Sequence, residues 1–454
     1  MRSTVLLLLI GIFFLFSVMS QFAAMYTYWW FAIFRPHEWA WDGTIKELRL
    51  TIVIAAIFLG QAIYHKKIPK INNPIALLML ALLLNEAIAN YLNGCADLYI
   101  VRTRTLSELF ILAFVVLITT EIIEQKKHLY WLIAVIALSI GFHSGKGGIH
   151  ALLTGGSFYG AHNLSGLFSG SNAFALGTGI LIFFMIISFQ CIKYIPLNHD
   201  DKKTRMAVLA FQATLLIMIL GSIYNIIALS SRGSFFATAA GITAWIILHE
   251  KRKKIIPVFI VFVGLTLAFV PLPENYEERL SSAFADQSEL DNSAASRPHF
   301  WATAYEIAKD HPLGVGPGCF PPFYNMYDSS NGYYGLYRSV HSSHFQVLSD
   351  TGFIGILIWL LLFIVSLSKL WSIRKEAKYM MAENEKYKFY FLVCNALISS
   401  TLVFLIGGSF YEYAYNDITW LTWGLVIATE RLFKKEFGDH YNYKNAGKKI
   451  PGRY

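Results

Sequence analysis

The sequence predicts an all-α polytopic membrane protein, with about twelve transmembrane helices and a large outer loop that contains short helices. Three observations predict this fold class. Of the 454 residues, 55% are hydrophobic and only 15% are charged, and the mean hydropathy of +0.47 is too high for a soluble chain of this length. The apolar runs are continuous rather than alternating, which favours helices over a barrel. They also recur from one end of the chain to the other.

Helical spans are predicted wherever an apolar run is long enough to cross about 30 Å of hydrocarbon. We place them near residues 5–24, 49–64, 74–92, 106–123, 129–143, 172–189, 206–229, 234–249, 255–271, 352–370, 388–407 and 416–432. We expect the first run to be a retained span rather than a cleaved signal peptide. The chain then divides into helices 1 to 9 (residues 1–270), the outer loop (271–351), helices 10 to 12 (352–432) and a cytoplasmic tail (433–454).

The distribution of Lys and Arg predicts the orientation. Alternating sides from a cytoplasmic N-terminus places most of the 38 basic residues inside, so both termini are expected in the cytoplasm. This bias accounts for most of the net charge of +9 without a nucleic-acid partner. Lysines dominate the inner segments and arginines the outer ones, which carry Arg35, Arg49, Arg102, Arg104, Arg232, Arg279, Arg297 and Arg338.

The outer arginines indicate an anionic substrate, because the guanidinium fork matches phosphate oxygens. Any single one of these arginines is equally well explained as an interfacial residue whose side chain reaches the lipid headgroups. Eight together on one face favour the substrate.

Three outer segments have recognisable patterns. Residues 26–43 predict an aromatic belt at the membrane interface, and residues 144–171 predict a Gly- and Ser-rich loop. The nearby GFHSGKGG stretch lacks the spacing and the Ser/Thr of a phosphate-binding P-loop, which argues against ATP binding. In the large loop, a helix is predicted from Pro298 to Asp310, and its apolar stripe comprises Trp301, Ala304, Tyr305 and Ala308.

Two arginines precede predicted helix starts on the outer side. Arg232 lies in LSSRGSF, where Ser230 or Ser231 is placed to cap the next helix, and Arg297 lies directly before Pro298. A cation beside a helix N-terminus is unfavourable unless an anion sits between them. The pattern therefore predicts a shared anionic ligand, although Arg297 alone is as well explained by pairing with nearby acidic residues.

Two histidines follow in VHSSHFQ. His341 and His344 have no third ligand at a spacing typical of zinc, so we expect no metal and no cofactor. Neighbouring arginines disfavour the imidazolium, which leaves a neutral imidazole that can act as a general base. Cys95 and Cys319 both fall on the outer side and could pair, although we expect two free thiols.

The stretches GLFSGSNAFAL, LSSRGSFFA, DNSAASRPHFWATAYEIAKDHPLGVGPGCF and VHSSHFQVLSDTGFIG resemble the motif set of bacterial O-antigen ligases of the WaaL type. The wider family includes O-antigen polymerases and protein O-oligosaccharyltransferases. The opening MYTYWWFAIFRPHEW is similar to the exosortase-associated branch of these ligases. The resemblance extends over nearly the whole chain, and its motifs are more specific for the family than for the acceptor.

The resemblance implies transfer of a glycan from undecaprenyl pyrophosphate to a lipid A-core sugar, at the periplasmic face of the bacterial inner membrane. It assigns pyrophosphate binding to Arg232 and Arg297 and the catalytic role to His341. The family's H-N-S-Y-L-Q pattern reads H-S-S-H-F-Q here, which leaves His344 doubtful as a catalyst. Further candidates for donor or acceptor phosphates are Arg35, Arg102, Arg104 and Arg338.

Other functions remain open. An O-antigen polymerase or a protein O-oligosaccharyltransferase would have a similar site and a different acceptor. A glycolipid transporter is disfavoured, because its polar residues are expected near the middle of the membrane, whereas here they gather on one side and Glu86 is one of few charges within the spans.

Overall fold

The computed structural model describes residues 2–39, 45, 48–93, 95, 106–155, 170–269 and 295–445, and all regular elements within these ranges are helical. The first ten helices are α1 (Arg2–Met19), α2 (Gln21–Phe34), α3 (Leu50–Tyr64), α4 (Pro74–Asn93), α5 (Leu106–Ile122), α6 (Lys126–Leu153), α7 (Ser171–Cys191), α8 (Lys202–Ala228), α9 (Arg232–Leu248) and α10 (Arg252–Phe269). The remaining helices are α11 (Arg297–Asp310), α12 (Phe320–Tyr327), α13 (Ser343–Met380), α14 (Tyr387–Gly407) and α15 (Asp417–Asn445).

The described helices make the chain a multi-pass membrane protein. Six of them are long and apolar enough to cross a membrane, namely α4, α6, the helical run Ser171–Tyr194, α8, α13 and α14. Three shorter apolar helices, Thr4–Met19, Leu50–Tyr64 and Arg232–Leu248, accompany them. A helix overlaps each predicted span, α2 is an additional helix, and the count of twelve spans stays a prediction.

The short helices α11 and α12 pack into a small core of their own. Phe300, Ile307 and Tyr324 are fully buried there. A disulfide joins Cys95, just after α4, to Cys319, just before α12. The expectation of two free thiols is therefore wrong, because folding brings together two positions that are 224 residues apart in sequence. We call the end of the bundle that carries this disulfide the loop end.

The buried Asp350 of α13 fastens the loop to the bundle. Its Oδ2 accepts hydrogen bonds from Gly318 N and Tyr415 OH, each at 3.1 Å, and its backbone oxygen accepts one from Gly316 N (2.9 Å). Asp350 thus bonds the segment before α12 to α13, and it also accepts from a tyrosine that precedes α15.

The first predicted span is two helices. The chain leaves helical geometry at Ser20 (φ −149°) and turns back as α2. Helix α2 is antiparallel to α1, and the ring centres of Phe14 and Phe31 lie 5.5 Å apart across the pair. Trp29 and Phe31 of α2 are fully buried. The predicted aromatic belt therefore begins inside the bundle as a packed helix, since aromatic side chains fill the space between α1, α3 and α6.

The start of α1 and the end of α15 lie at opposite ends of the bundle. Val18 O, near the end of α1, accepts a hydrogen bond from Gln61 Nε2 (2.5 Å) of α3, and α3 leads on to Lys67, which pairs with Glu124 away from the loop end. Helix α1 therefore starts toward the loop end, whereas α15 runs to the opposite end, where Glu436 pairs with a lysine of α6. This arrangement differs from the prediction that both termini lie on one side, because α2 is an additional helix. The side of the membrane that each end faces stays a prediction.

Helix α6 continues through the glycine-rich stretch that the sequence assigned to a loop. A Cβ on Gly148 would lie 1.7 Å from the backbone oxygen of Gly221, and one on Gly145 would lie 3.1 Å from the Cα of Met218. The missing side chains let α6 and α8 approach closely, as in other membrane helix pairs with small residues at the interface. The residues 156–169 of the predicted loop lie outside the described residues.

Candidate active site

Arg232 begins α9 at the loop end. Ser231 occupies the N-cap position, as predicted, but its hydroxyl donates to Ser234 Oγ (3.0 Å) rather than accepting from the helix backbone. The first residues of α9 line a cavity, so the positive end of the helix dipole faces it.

Arg297 begins α11, where Pro298 occupies the first turn as expected. The guanidinium carbon of Arg297 lies 5.8 Å from the centre of the ring of Phe410. Phe410 belongs to the segment between α14 and α15. The buried face of α11 differs by one position from the predicted stripe: Phe300 is fully buried, whereas Tyr305 is 47% exposed. This rotation turns the helix so that Phe300 reaches His341.

One cavity joins the two arginines. It has a volume of about 210 Å³, and it is lined by Asn172, Ser230, Ser231, Arg232, Gly233, Ser234, Arg297, Gly407, Phe410 and Tyr411. Two guanidinium groups, hydroxyls and a helix N-terminus converge there, and all of them favour an anion with several oxygens. The predicted pairing of Arg232 and Arg297 is thus present in the geometry.

His341 lies beside this cavity rather than in its lining. Its ring centre is 5.9 Å from that of Phe300. Burial, and then the charges of Arg297 and Arg338, lower the pKa of His341 to about 4. The imidazole is therefore neutral near pH 7 and has a nitrogen lone pair available for a proton.

Glu412 fixes the backbone of His341. Its Oε1 accepts from His341 N (3.1 Å), and its Oε2 accepts from Ser339 Oγ (3.4 Å). His341 adopts φ 52°, a left-handed conformation that a non-glycine residue holds only when its surroundings impose it. Burial raises the pKa of Glu412.

The sequence analysis did not single out Glu412. It stands in FYEY, next to the cavity residues Phe410 and Tyr411. The available signal is a lone acidic residue in a short aromatic segment between two apolar runs. That signal does not reveal which backbone groups the carboxylate accepts from.

His344 is a structural residue of the bundle. Its Nδ1 accepts a hydrogen bond from Trp359 Nε1 (3.2 Å), and its Nε2 donates to Leu405 O (3.0 Å). Both ring nitrogens are therefore used by the protein. The structure contradicts its candidacy as a site residue, because no nitrogen is left for a substrate.

The remaining candidate arginines differ in their position relative to the cavity. Arg338 lies beside the site, with its guanidinium carbon 5.7 Å from the centre of the Phe300 ring. Arg35 pairs with Glu38 (2.9 Å) just after α2, and the residues described as lining the cavity do not include it. Arg102 and Arg104 lie outside the described residues. Within the described part of the chain, no group of three or more His, Cys, Asp or Glu side chains is arranged to hold a metal ion.

Two comparisons relate part of the chain to known proteins. Residues 213–360 match a family model described as O-antigen ligase, and this range contains Arg232, Arg297 and His341. The chain is similar to a protein of Pseudomonas aeruginosa named O-antigen ligase, with 25% identity over 157 residues. That similarity covers 35% of this chain and 35% of the relative. The two matches support a relationship to O-antigen ligases over about a third of the chain.

Proposed function

We propose that the protein transfers an O-antigen glycan from undecaprenyl pyrophosphate to a hydroxyl of the lipid A-core oligosaccharide. The observation that carries the proposal is the convergence of Arg232, Arg297 and the N-terminus of α9 on one cavity, with a neutral imidazole beside it. The cavity fits the pyrophosphate, and the imidazole fits the acceptor hydroxyl.

The reaction is a single displacement. The acceptor oxygen attacks the anomeric carbon, the bond from that carbon to the pyrophosphate oxygen breaks, and the anomeric configuration inverts. His341 takes the hydroxyl proton. Arg232 and Arg297 stabilise the negative charge that grows on the departing undecaprenyl pyrophosphate, so they bind the transition state more strongly than the ground state.

Donor binding also changes the pKa of the general base, His341. A pKa of about 4 makes His341 a weak proton acceptor in the free protein. A bound pyrophosphate offsets the charge of Arg297, and a nearby anion favours the protonated imidazole. Donor binding therefore raises the pKa of His341 toward the pH at which general bases work best.

The proposed location follows from the chemistry. The loop end faces the periplasm and α15 ends in the cytoplasm, so the N-terminal end of α1 lies on the periplasmic side. A donor that carries its own pyrophosphate leaving group needs no nucleotide, which suits a site outside the cytoplasm.

The acceptor is tested in a purified system. We expect protein in nanodiscs with lipid-linked glycan to glycosylate lipid A-core, and Arg232→Ala or Arg297→Ala to lower turnover by roughly 100-fold or more. Arg205→Ala, an exposed arginine at the opposite end, serves as the matched control. We expect a chelator to have no effect.

Other outcomes would contradict the proposal. Extension of the lipid-linked glycan itself would show a polymerase, and glycosylation of a protein would show an oligosaccharyltransferase. Inhibition by chelator that one divalent ion reverses would overturn the metal-independent displacement.

A further inference from the structure

A second, apolar groove lies between α1, α2, α6 and α8. It has a volume of about 560 Å³, and its lining includes Phe16, Ala23, Trp30, Leu138 and Phe142. It shares no lining residue with the arginine cavity, which is framed by α7, α9, α11 and the residues around the end of α14. A molecule held in this groove is thus bound by different helices from those that hold the reacting groups.

A lysine stands above the groove on the face of α6 that lines it. Val135, Leu138 and Phe142 follow one another at helical spacing along this face, and Lys146 lies one turn beyond Phe142 on the exposed side. Lys126, at the start of α6, marks the opposite end of the bundle. The twenty residues from there to Lys146 rise about 30 Å, the thickness of the hydrocarbon core. The ammonium therefore stands at the level of the outer headgroups.

A second cation directly follows a groove-lining residue in the chain. Phe34 lines the groove near its outer end and stacks on His143 (4.6 Å) of α6, and Arg35 follows it directly. Arg35 pairs with Glu38, but a guanidinium has five N–H donors and one carboxylate does not use them all. An apolar groove with cations at its outer rim is complementary to a lipid with an acidic headgroup.

We propose that this groove binds one acidic phospholipid of the outer leaflet, with an acyl chain along α6 and the phosphate between Lys146 and Arg35. The lipid is a bound neighbour and not a reactant, because its binding helices are not those of the arginine cavity. It fills a gap that the packing of α1 and α2 on α6 leaves open.

Lipid retention tests the site. The protein is reconstituted in nanodiscs that contain phosphatidylglycerol and phosphatidylcholine with the same acyl chains, and bound lipids are counted by native mass spectrometry after mild extraction. We expect one phosphatidylglycerol to be retained. We also expect Lys146→Gln to weaken this retention at least tenfold without changing that of phosphatidylcholine.

Two further variants sharpen the test. Ala23→Phe fills the groove, so we expect it to abolish retention of both lipids, whereas Lys309→Gln removes an exposed lysine of α11 and should change nothing. Equal retention of the two lipids, or unchanged retention in Lys146→Gln, would overturn the acidic-headgroup site. Displacement of the lipid by lipid-linked glycan would also overturn it and would instead make the groove a tail site for the substrate. Glycan transfer in the wild-type protein is measured separately, so failure of this site and failure of the proposed function remain distinguishable.

Discussion

At the scale of single residues, the site depends on a neutral imidazole. We expect His341→Ala to lower glycan transfer by roughly 100- to 10,000-fold, the range for loss of a general base. Donor binding should remain, because the arginines of the cavity are unchanged. Turnover of lipid-linked glycan and donor binding are measured in parallel. His199→Ala is the control, since this histidine is exposed and lies outside the site. Loss of donor binding in His341→Ala would contradict the assignment.

The low pKa of His341 gives a pH dependence with a defined sign. A base works only when deprotonated, so activity is lost as the pH falls through its pKa. In the free protein, burial and then Arg297 and Arg338 hold that pKa at about 4, whereas bound pyrophosphate raises it. We therefore expect the acidic limb of kcat/KM near pH 4 and that of kcat at a higher pH, since kcat/KM reports the free enzyme and kcat the complex. Coincident limbs would show that the donor does not act on the imidazole.

Glu412 is a positioning residue, because it accepts from the backbone of His341 and not from its ring. We expect Glu412→Ala to lower kcat while leaving the KM for donor nearly unchanged, and Glu412→Gln to recover part of the loss because an amide oxygen still accepts one hydrogen bond. Steady-state kinetics with a thermal melt separates this effect from unfolding. Equal losses in both variants, in step with the melting temperature, would show a purely structural role.

These residues also show what the sequence reveals about the site. Arg232 and Arg297 are recognisable because each precedes a helix start, and the structure brings them to one cavity. The sequence left His344 a doubtful candidate and did not reveal its structural role, because its partners Trp359 and Leu405 lie 15 and 61 residues away along the chain. Glu412 was missed for the same reason.

At the scale of elements, apolar length predicted where helices occur but not where they turn or end. Gly148 illustrates this limit: glycines usually mark loops, yet here they permit close packing of α6 on α8. We expect Gly148→Ala to destabilise the protein by about 1 to 3 kcal/mol, because its Cβ would meet the backbone oxygen of Gly221. Gly60→Ala in α3 is the matched control, since nothing lies within 4 Å of its added Cβ. Thermal unfolding in detergent measures both, and equal melting temperatures would refute the packing argument.

The break at Ser20 has a different cause. A window of about 20 residues treats the apolar run through α1 and α2 as one span, since both helices are apolar and no charge separates them. The turn is set by tertiary contacts, such as that between Gln61 and Val18. Single-sequence hydropathy contains no information on these contacts, so the separate helix α2 was not predicted.

At the scale of the whole molecule, the disulfide between Cys95 and Cys319 ties α4 to the loop that carries Arg297 and His341. It closes a long chain segment, so removing it should cost about 2 to 5 kcal/mol of stability. We expect Cys95→Ser to lower the melting temperature and to reduce glycan transfer, because the loop then loses one of its attachments to the bundle. Cys319→Ser should have the same effect, and the double variant should add little.

The disulfide also reports orientation, because such bonds persist in an oxidising compartment and not in the cytoplasm. We expect mass spectrometry of alkylated protein from intact cells to find Cys95 and Cys319 linked. Cys191 and Cys394, which are buried and free, serve as internal controls and should be alkylated only after denaturation. A disulfide found in cells places the loop end, and with it the arginine cavity, on the periplasmic side. Alkylation of Cys95 and Cys319 without prior reduction would contradict both the linkage and the proposed side of the membrane.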